Sequence, residues 1–210
     1  MHQPISSCWG YTVPVSYTNR KGQTYTLYRG QTRTGKPRYY FGREGQGQGE
    51  PVTKLPAGYT ISESVNGVVS LVKERPSLIQ PEEVAAVEAA VQRHPEAHRY
   101  RVVVKGKRIE IYERAGPDYV ALVRELHISG LSRPGLDEEL RDLEERHASY
   151  EPVLRFNLLD PAERRFGVER MCYRGSIDGW LELMLTAGPV AELARELVPT
   201  LGTDQFFELW

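Results

Sequence analysis

The chain reads as an α+β protein: a small N-terminal antiparallel β-meander over residues 1–76, then an α+β domain of two β-hairpins and several helices over residues 77–210. Three observations predict this. Period-2 alternation and turn residues dominate the first 75 residues, with no helical periodicity. Beyond them, stretches with apolar residues three and four apart alternate with hairpin signals. The mixture of 40% hydrophobic and 26% charged residues is enough to build a packed core.

In the first part the alternation predicts strands near 11–18, 24–29, 37–42, 59–64 and 68–73. They are joined by "NRKG", by "GQTRTGK", by the long "GREGQGQGEPVTKLPAG" and by a tight turn at Asn66-Gly67. The character changes at "SLIQPEEVAAVEAAVQRHP". Pro81 stands at a first helical position, Glu82 and Glu83 fall in the first turn, and Val84, Val87 and Val91 share a face until Pro95 ends the helix. Next, "HRYRVVVKGKRIEIYERAG" is a hairpin. With Gly106-Lys107 as the turn, Val104 pairs with Ile109, Val102 with Ile111 and Tyr100 with Glu113.

A helix is expected from Pro117, with Tyr119, Leu122, Val123 and Leu126 on one face. A second follows near 134–147, where Leu136, Leu140 and Leu143 should face inward and the pairs Asp137/Arg141 and Asp142/Arg146 outward. The second hairpin, "PVLRFNLLDPAERRFGVERMCYRG", sets Leu154, Phe156 and Leu158 against Phe166, Val168 and Cys172, turning at Asp160-Pro161. "IDGWLELML" fits a helix or a strand, and Pro189 opens a helix over "PVAELAREL". The C-terminal "GTDQFFELW" suggests a short helix, capped by Thr203 or Asp204, with Phe206 and Trp210 docked in the core; a partner-binding tail is the alternative.

Several chemistries lack a signature. Cys8 and Cys172 have no second cysteine or suitably spaced histidine beside them, so both are expected as reduced thiols with no metal site, Cys172 buried. His94 and His98 are four apart, but Pro95 between them opposes the helix that would align two ligands. "GREGQGQGE" has no strand-to-helix context and no Lys-Ser/Thr ending, so it is a flexible loop, not a phosphate cradle. No nucleophile elbow and no dinucleotide fingerprint occurs, so no cofactor and no catalytic residue is expected. The start of the chain lacks a basic n-region and an apolar h-region, and no run is long enough to cross a membrane as a helix, which predicts a cytoplasmic protein.

The formal net charge of −1 conceals an imbalance: residues 1–78 carry +6, residues 79–150 carry −3 and residues 151–210 carry −4. A basic end suggests an anionic partner, DNA or RNA. Residues 25–42, "YTLYRGQTRTGKPRYYFG", hold five aromatic rings and four basic side chains without an acid. Arg29, Arg33, Lys36 and Arg38 gather at the strand ends and loop, whose hydroxyls and backbone amides suit phosphate oxygens, and Tyr28 and Tyr40 are candidates for base stacking. The outward face of the 99–114 hairpin offers a second set: Arg99, Arg101, Lys105, Arg108, Arg114 and the ring of Tyr112, with Glu110 and Val103. The competing expectation is a solvated face whose cations pair with the acidic 137–145 helix. The leading function is nucleic-acid binding without intrinsic catalysis. Alternatives are a protein–protein adaptor using the β-module edge or Phe206 and Trp210, and a nuclease-like enzyme drawing on Glu110, Glu113 and Lys107.

The segments "RKGQTYTLYRGQTRTGKPRYYF", "LPAGYTISESVNGVVSL" and "VLRFNLLDPAERRFGVERMCYRGSIDGW" resemble an uncharacterised family of bacterial proteins across most of the chain. That resemblance implies a bacterial cytoplasmic setting and transfers no catalytic or binding residue. More distantly, the basic three-strand segment looks like the small β-sheet DNA-binding modules of some phage-type integrases, from which it departs by continuing into two further strands instead of a helix.

Overall fold

The computed structural model describes residues 13–43, 45–116, 135–174, 177–183 and 187–208. The chain forms two compact units, Met1–Glu74 and Arg75–Trp210, with antiparallel sheets and helices in an α+β composition. Among the described residues no helix is long and apolar enough to cross a membrane.

In the first unit β1 (Ser16–Thr18), β2 (Thr24–Gln31) and β3 (Pro37–Arg43) follow one another across an antiparallel sheet. A two-residue strand, β4 (Glu50–Pro51), returns from the glycine-rich connection to pair with β2, which the alternation pattern is too short to reveal. β5 (Tyr59–Glu63) and β6 (Val69–Lys73) make a separate two-stranded sheet. Among the described residues of this unit, Leu27, Tyr28 and Val69 are the large apolar side chains that are buried. Polar groups hold it together as well. Buried Asn19 donates from Nδ2 to the Gly67 carbonyl at 2.6 Å while its Oδ1 accepts the backbone N–H groups of Lys21 and Gln23. Glu63 accepts the Tyr17 hydroxyl at 2.8 Å and the Arg20 N–H at 2.9 Å, so the β5–β6 hairpin is clamped to the β1–β2 turn. The hydrogen bond to Glu63 also raises the Tyr17 phenol above its ordinary pKa.

The second unit opens with α1 (Pro81–Gln92), which begins with a capping box: the Gln80 N–H donates to Glu83 Oε2 at 2.8 Å. β7 (Tyr100–Lys105), β8 (Arg108–Ala115), β9 (Ser149–Asp160), β10 (Arg165–Arg174) and β11 (Ile177–Glu182) then form one five-stranded antiparallel sheet in chain order. The two expected hairpins are therefore one meander, fused by β8–β9 pairing whose register shifts between Ile111 and Tyr112. The β7–β8 register is the one the turn dictates, with Val104 opposite Ile109, Val102 opposite Ile111 and Tyr100 opposite Glu113, and Gly106 at φ 62°.

One face of this sheet is apolar. Ile109, Ile111, Leu154, Phe156, Leu158, Phe166 and Val168 are fully buried beneath α1 and α3 (Val190–Leu197), whose Val190, Leu193, Ala194 and Leu197 form a stripe at helical spacing. α4 (Asp204–Glu208) adds Phe206, 4% exposed, to the same core. α2 (Leu136–His147) behaves otherwise than its leucines suggest: Leu140 is half-buried, but Leu143 is 54% exposed, because the helix meets the sheet through Glu144 and Glu145. Cys172 is a free thiol and half-buried, not buried as expected, and "IDGWLE" is the edge strand β11. The helix expected from Pro117 and the C-terminal Trp210 lie outside the described residues.

Candidate nucleic-acid interface

On the open face of the five-stranded sheet, the register lines up Lys105 with Arg108, Val103 with Glu110 and Arg155, and Arg155 with Glu169. Glu110 is only 3% exposed, with Lys105 Nζ at 2.8 Å, Tyr112 donating its hydroxyl at 2.7 Å, and Arg108 Nε at 2.8 Å without hydrogen-bond alignment. Burial by itself would raise the Glu110 pKa. The hydrogen bonds from Lys105 and Tyr112, with the charges of Lys105 and Arg108, outweigh it and hold the carboxyl below the ordinary glutamate range. Glu169 is likewise lowered, first by its hydrogen bond from Arg155 and then by one from Asn157, while the Arg155 guanidinium lies 4.0 Å from the Trp180 ring centroid.

The remaining ribbon cations are also engaged. Arg101 pairs with Glu145 at 2.8 Å and lies over the Tyr150 ring, and Arg114, 9% exposed, pairs with Glu144 at 2.8 Å. Arg99 stands in a 3₁₀ turn before the strand and pairs with Glu113 at 2.9 Å and Glu96 at 3.3 Å. Tyr112 is buried, its hydroxyl held between Glu110 and Lys105. Five cations (Arg101, Lys105, Arg108, Arg114 and Arg155) thus face four carboxylates (Glu110, Glu144, Glu145 and Glu169), leaving this surface close to neutral. The ribbon is an ion-pair network, which is the competing expectation of cations paired with the acidic helix and not the phosphate-contacting face, and Tyr112 cannot stack a base. Glu110 of the hairpin itself takes Lys105 and Arg108, α2 supplies the acids for Arg101 and Arg114, and β10 supplies the one for Arg155.

Glu110 and Glu113 are three apart on one strand and point to opposite faces, so they do not form a convergent acid pair with Lys107. Among the described residues no group of three His, Cys, Asp or Glu side chains is placed to hold a metal ion. His94, buried, accepts the Glu96 N–H at Nδ1 and contacts the Leu201 carbonyl through Nε2 at 3.1 Å, which makes it a core histidine. Phe206 is docked in the core, as expected of the C-terminal helix and against the alternative of a partner-binding anchor, and its neighbour Phe207 is 59% exposed.

The first unit keeps its charges. Arg29, Arg33, Lys36 and Arg38 are exposed, and none of them is tied to a carboxylate among the described residues. Their scaffold is the β2–β3 turn. The Gly35 N–H donates to the Thr32 carbonyl at 2.9 Å, the Thr32 N–H to the Lys36 carbonyl at 2.8 Å and the Lys36 N–H to Thr32 Oγ1 at 3.1 Å, with Gly35 at φ 77° as this turn demands. These amides and the Thr32 hydroxyl are engaged inside the turn, and the Arg33 and Lys36 side chains are exposed on it. Register places Arg29 opposite Tyr39 on one sheet face, and Arg38, opposite Gly30, on the other face with the Tyr28–Tyr40 pair.

Tyr28 and Tyr40 are stacked on each other, ring centroids 5.9 Å apart, and Tyr28 is 6% exposed. The loop after β3 covers them. Gly47 lies against the Tyr28 ring and the Tyr40 hydroxyl donates to the Gln48 carbonyl. Tyr28 is therefore core and not a platform for bases, and the glycine-rich segment is a packed flap, not the free loop its composition suggests. Between flap and strands lies a cleft of 460 Å³ lined by Gly30, Gln31, Arg38, Tyr40, Gln46 and Gln48. Residue-by-residue reading passed over these glutamines. For Gln46 and Gln48 the alternating "GQGQG" was the signal, since Gly47 and Gly49 permit close backbone approach and the glutamines are left to project. A smaller cleft of 230 Å³, which includes Arg29 and Glu50, lies beside the same strand end.

The fold and site define an α+β protein with a small cationic β-unit and a larger meander unit. No family model, curated protein sequence or solved structure matches the chain.

Proposed function

We propose that this protein binds nucleic acid through the β2–β3 end of its first unit, and that the β7–β8 ribbon of the second unit plays no part in phosphate contact. One observation carries the reading: Arg29, Arg33, Lys36 and Arg38 are exposed at one hairpin end without a carboxylate partner among the described residues, whereas the ribbon cations are ion-paired. Unpaired exposed guanidinium and ammonium groups displace the counterions of a polyanion; paired ones must first give up their carboxylates.

The test is fluorescence anisotropy with labelled single-stranded and duplex oligonucleotides over a salt series. Three phosphate contacts, from Arg33, Lys36 and Arg38 on one side of the hairpin end, at about 0.7 per contact on a single strand give a log–log slope near −2.1, a loss of about 18-fold between ~50 and ~200 mM salt. Lys36→Ala should bring the slope to about −1.4, or about 7-fold over the same range. Arg101→Ala and Arg108→Ala should leave it unchanged. The reading fails if no binding is found at low salt, or if Arg101→Ala flattens the slope as much as Lys36→Ala.

A further inference from the structure

Resting on that reading, we infer that the cleft between the flap and the β2–β3 strands is a pocket for one unpaired nucleotide, so that the ligand is single-stranded nucleic acid. Its volume of 460 Å³ falls within the ~300–1,000 Å³ range of small-ligand clefts. Its chemistry suits a base and its phosphate. Gln46 and Gln48 bring two carboxamides from the flap, each offering both an acceptor and donors, the combination that matches the hydrogen-bonding edge of a base, while Gln31 lines the strand end of the cleft. Arg38 supplies a guanidinium for phosphate, and no carboxylate is among the described residues that line the cleft.

The cleft is also a built one. Gly49 takes φ 139°, and a Cβ there would meet the Arg29 carbonyl oxygen at 2.6 Å, so the flap returns to β2 along a path open only to glycine. The Tyr40 hydroxyl fixes the flap by its hydrogen bond to the Gln48 carbonyl, leaving the Gln48 side chain for a ligand. A duplex keeps its bases stacked and paired, and its groove surface cannot enter a recess of this size; an unstacked base of a single strand can. Arg33 and Lys36 on the adjoining turn would then track the neighbouring phosphates.

The experiment compares one labelled sequence as a single strand and as a duplex, with wild type, Gln46→Ala/Gln48→Ala and Arg33→Ala/Lys36→Ala proteins. Side-chain amide signals of the glutamines are followed by NMR in the wild type as unlabelled single strand is added. Expected are single-strand binding at least about tenfold tighter than duplex, and a loss of about fivefold or more in the glutamine variant with its salt slope unchanged. Shifts should appear at the Gln46 and Gln48 side-chain amides, while Arg33→Ala/Lys36→Ala flattens the slope. Equal affinity for single strand and duplex, with the slope still sensitive to Arg33 and Lys36, overturns the pocket and leaves the nucleic-acid reading standing. No binding of either form overturns both. Salt-insensitive binding of a neutral oligosaccharide at the same amides, with none of the nucleic acid, would also overturn both.

Discussion

Gly47→Ala tests whether the flap is a fixed part of the first unit. A Cβ at this position would lie 2.1 Å from Tyr28 Cε2 and 2.3 Å from its Cδ2 and Cζ. Carbon atoms in contact settle about 3.5–4.0 Å apart, so flap and ring must separate by more than an ångström. The ring cannot simply swing aside, because it is stacked on Tyr40 and buried. Overpacking of this kind costs about 1–3 kcal/mol. The retreat that this forces on the flap also breaks the Tyr40–Gln48 hydrogen bond, about 1 kcal/mol more. The sum is close to 3 kcal/mol, which corresponds to roughly a hundredfold faster exchange of amides protected by this unit. Hydrogen–deuterium exchange over residues 24–43 is the assay, since it reports the first unit separately from the second. The clash also predicts coupling: in a Tyr28→Leu background Gly47→Ala should cost less than half as much. Exchange within threefold of wild type, or an identical cost in both backgrounds, would refute the packing argument.

Two further predictions concern polar groups. Asn19→Ala removes the partner of the Gly67 carbonyl and of the Lys21 and Gln23 N–H groups together, and should destabilise the first unit by about 2–4 kcal/mol, read as accelerated exchange over residues 17–25 and 59–73 with no change in the second unit. Glu110→Gln and Glu113→Gln should move stability in opposite directions at pH 7 in urea unfolding. The Glu110 pKa is lowered on folding, so its contribution is present above the unfolded value of about 4.3 and disappears as pH falls through the lowered folded value. Glu110→Gln is thus destabilising at pH 7, by an amount that shrinks in acid. Glu113 is raised, chiefly by burial that the Arg99 charge does not fully offset, so its contribution is full below the unfolded value and is lost as pH rises through the folded one. Glu113→Gln should therefore be neutral or stabilising at pH 7; a loss equal to that of Glu110→Gln would contradict the assignment.

The comparison of sequence with structure divides along the range of the interactions. Local patterns carried far: "VVVKGKRIEI" contains its own turn, so the register from Tyr100 to Glu113 followed from period-2 alternation and one glycine. Leu154, Phe156 and Leu158 declared their burial in the same way. What alternation cannot express is which acid meets which base from elsewhere. Glu144 and Glu145 look like a wet helix face until α2 is laid on the sheet, and the same step converts Arg101 and Arg114 from candidate phosphate ligands into ion-pair partners. Tyr28 failed for a related reason: four glycines in eight residues read as slack chain, whereas glycine is what lets the backbone lie directly on an aromatic ring.

The meander of the second unit has a consequence for how the chain acquires its shape. Strands β7 to β11 pair strictly in the order of synthesis, so each ladder needs only its predecessor, and all but the β8–β9 ladder, whose long connection carries α2, close locally, the kind of topology that assembles quickly. The apolar face is covered in a different order. α1 precedes every strand, while α3 and α4, which complete the cover, come after all of them. A nascent chain that has emerged only through β11 therefore carries a finished sheet with Phe156, Phe166 and Leu158 incompletely shielded. A sticky intermediate is the result, and it persists until the last 20 or so residues arrive. Stalled or truncated products ending before Pro189 should be the aggregation-prone form of this protein, even though every strand of the sheet is present in them.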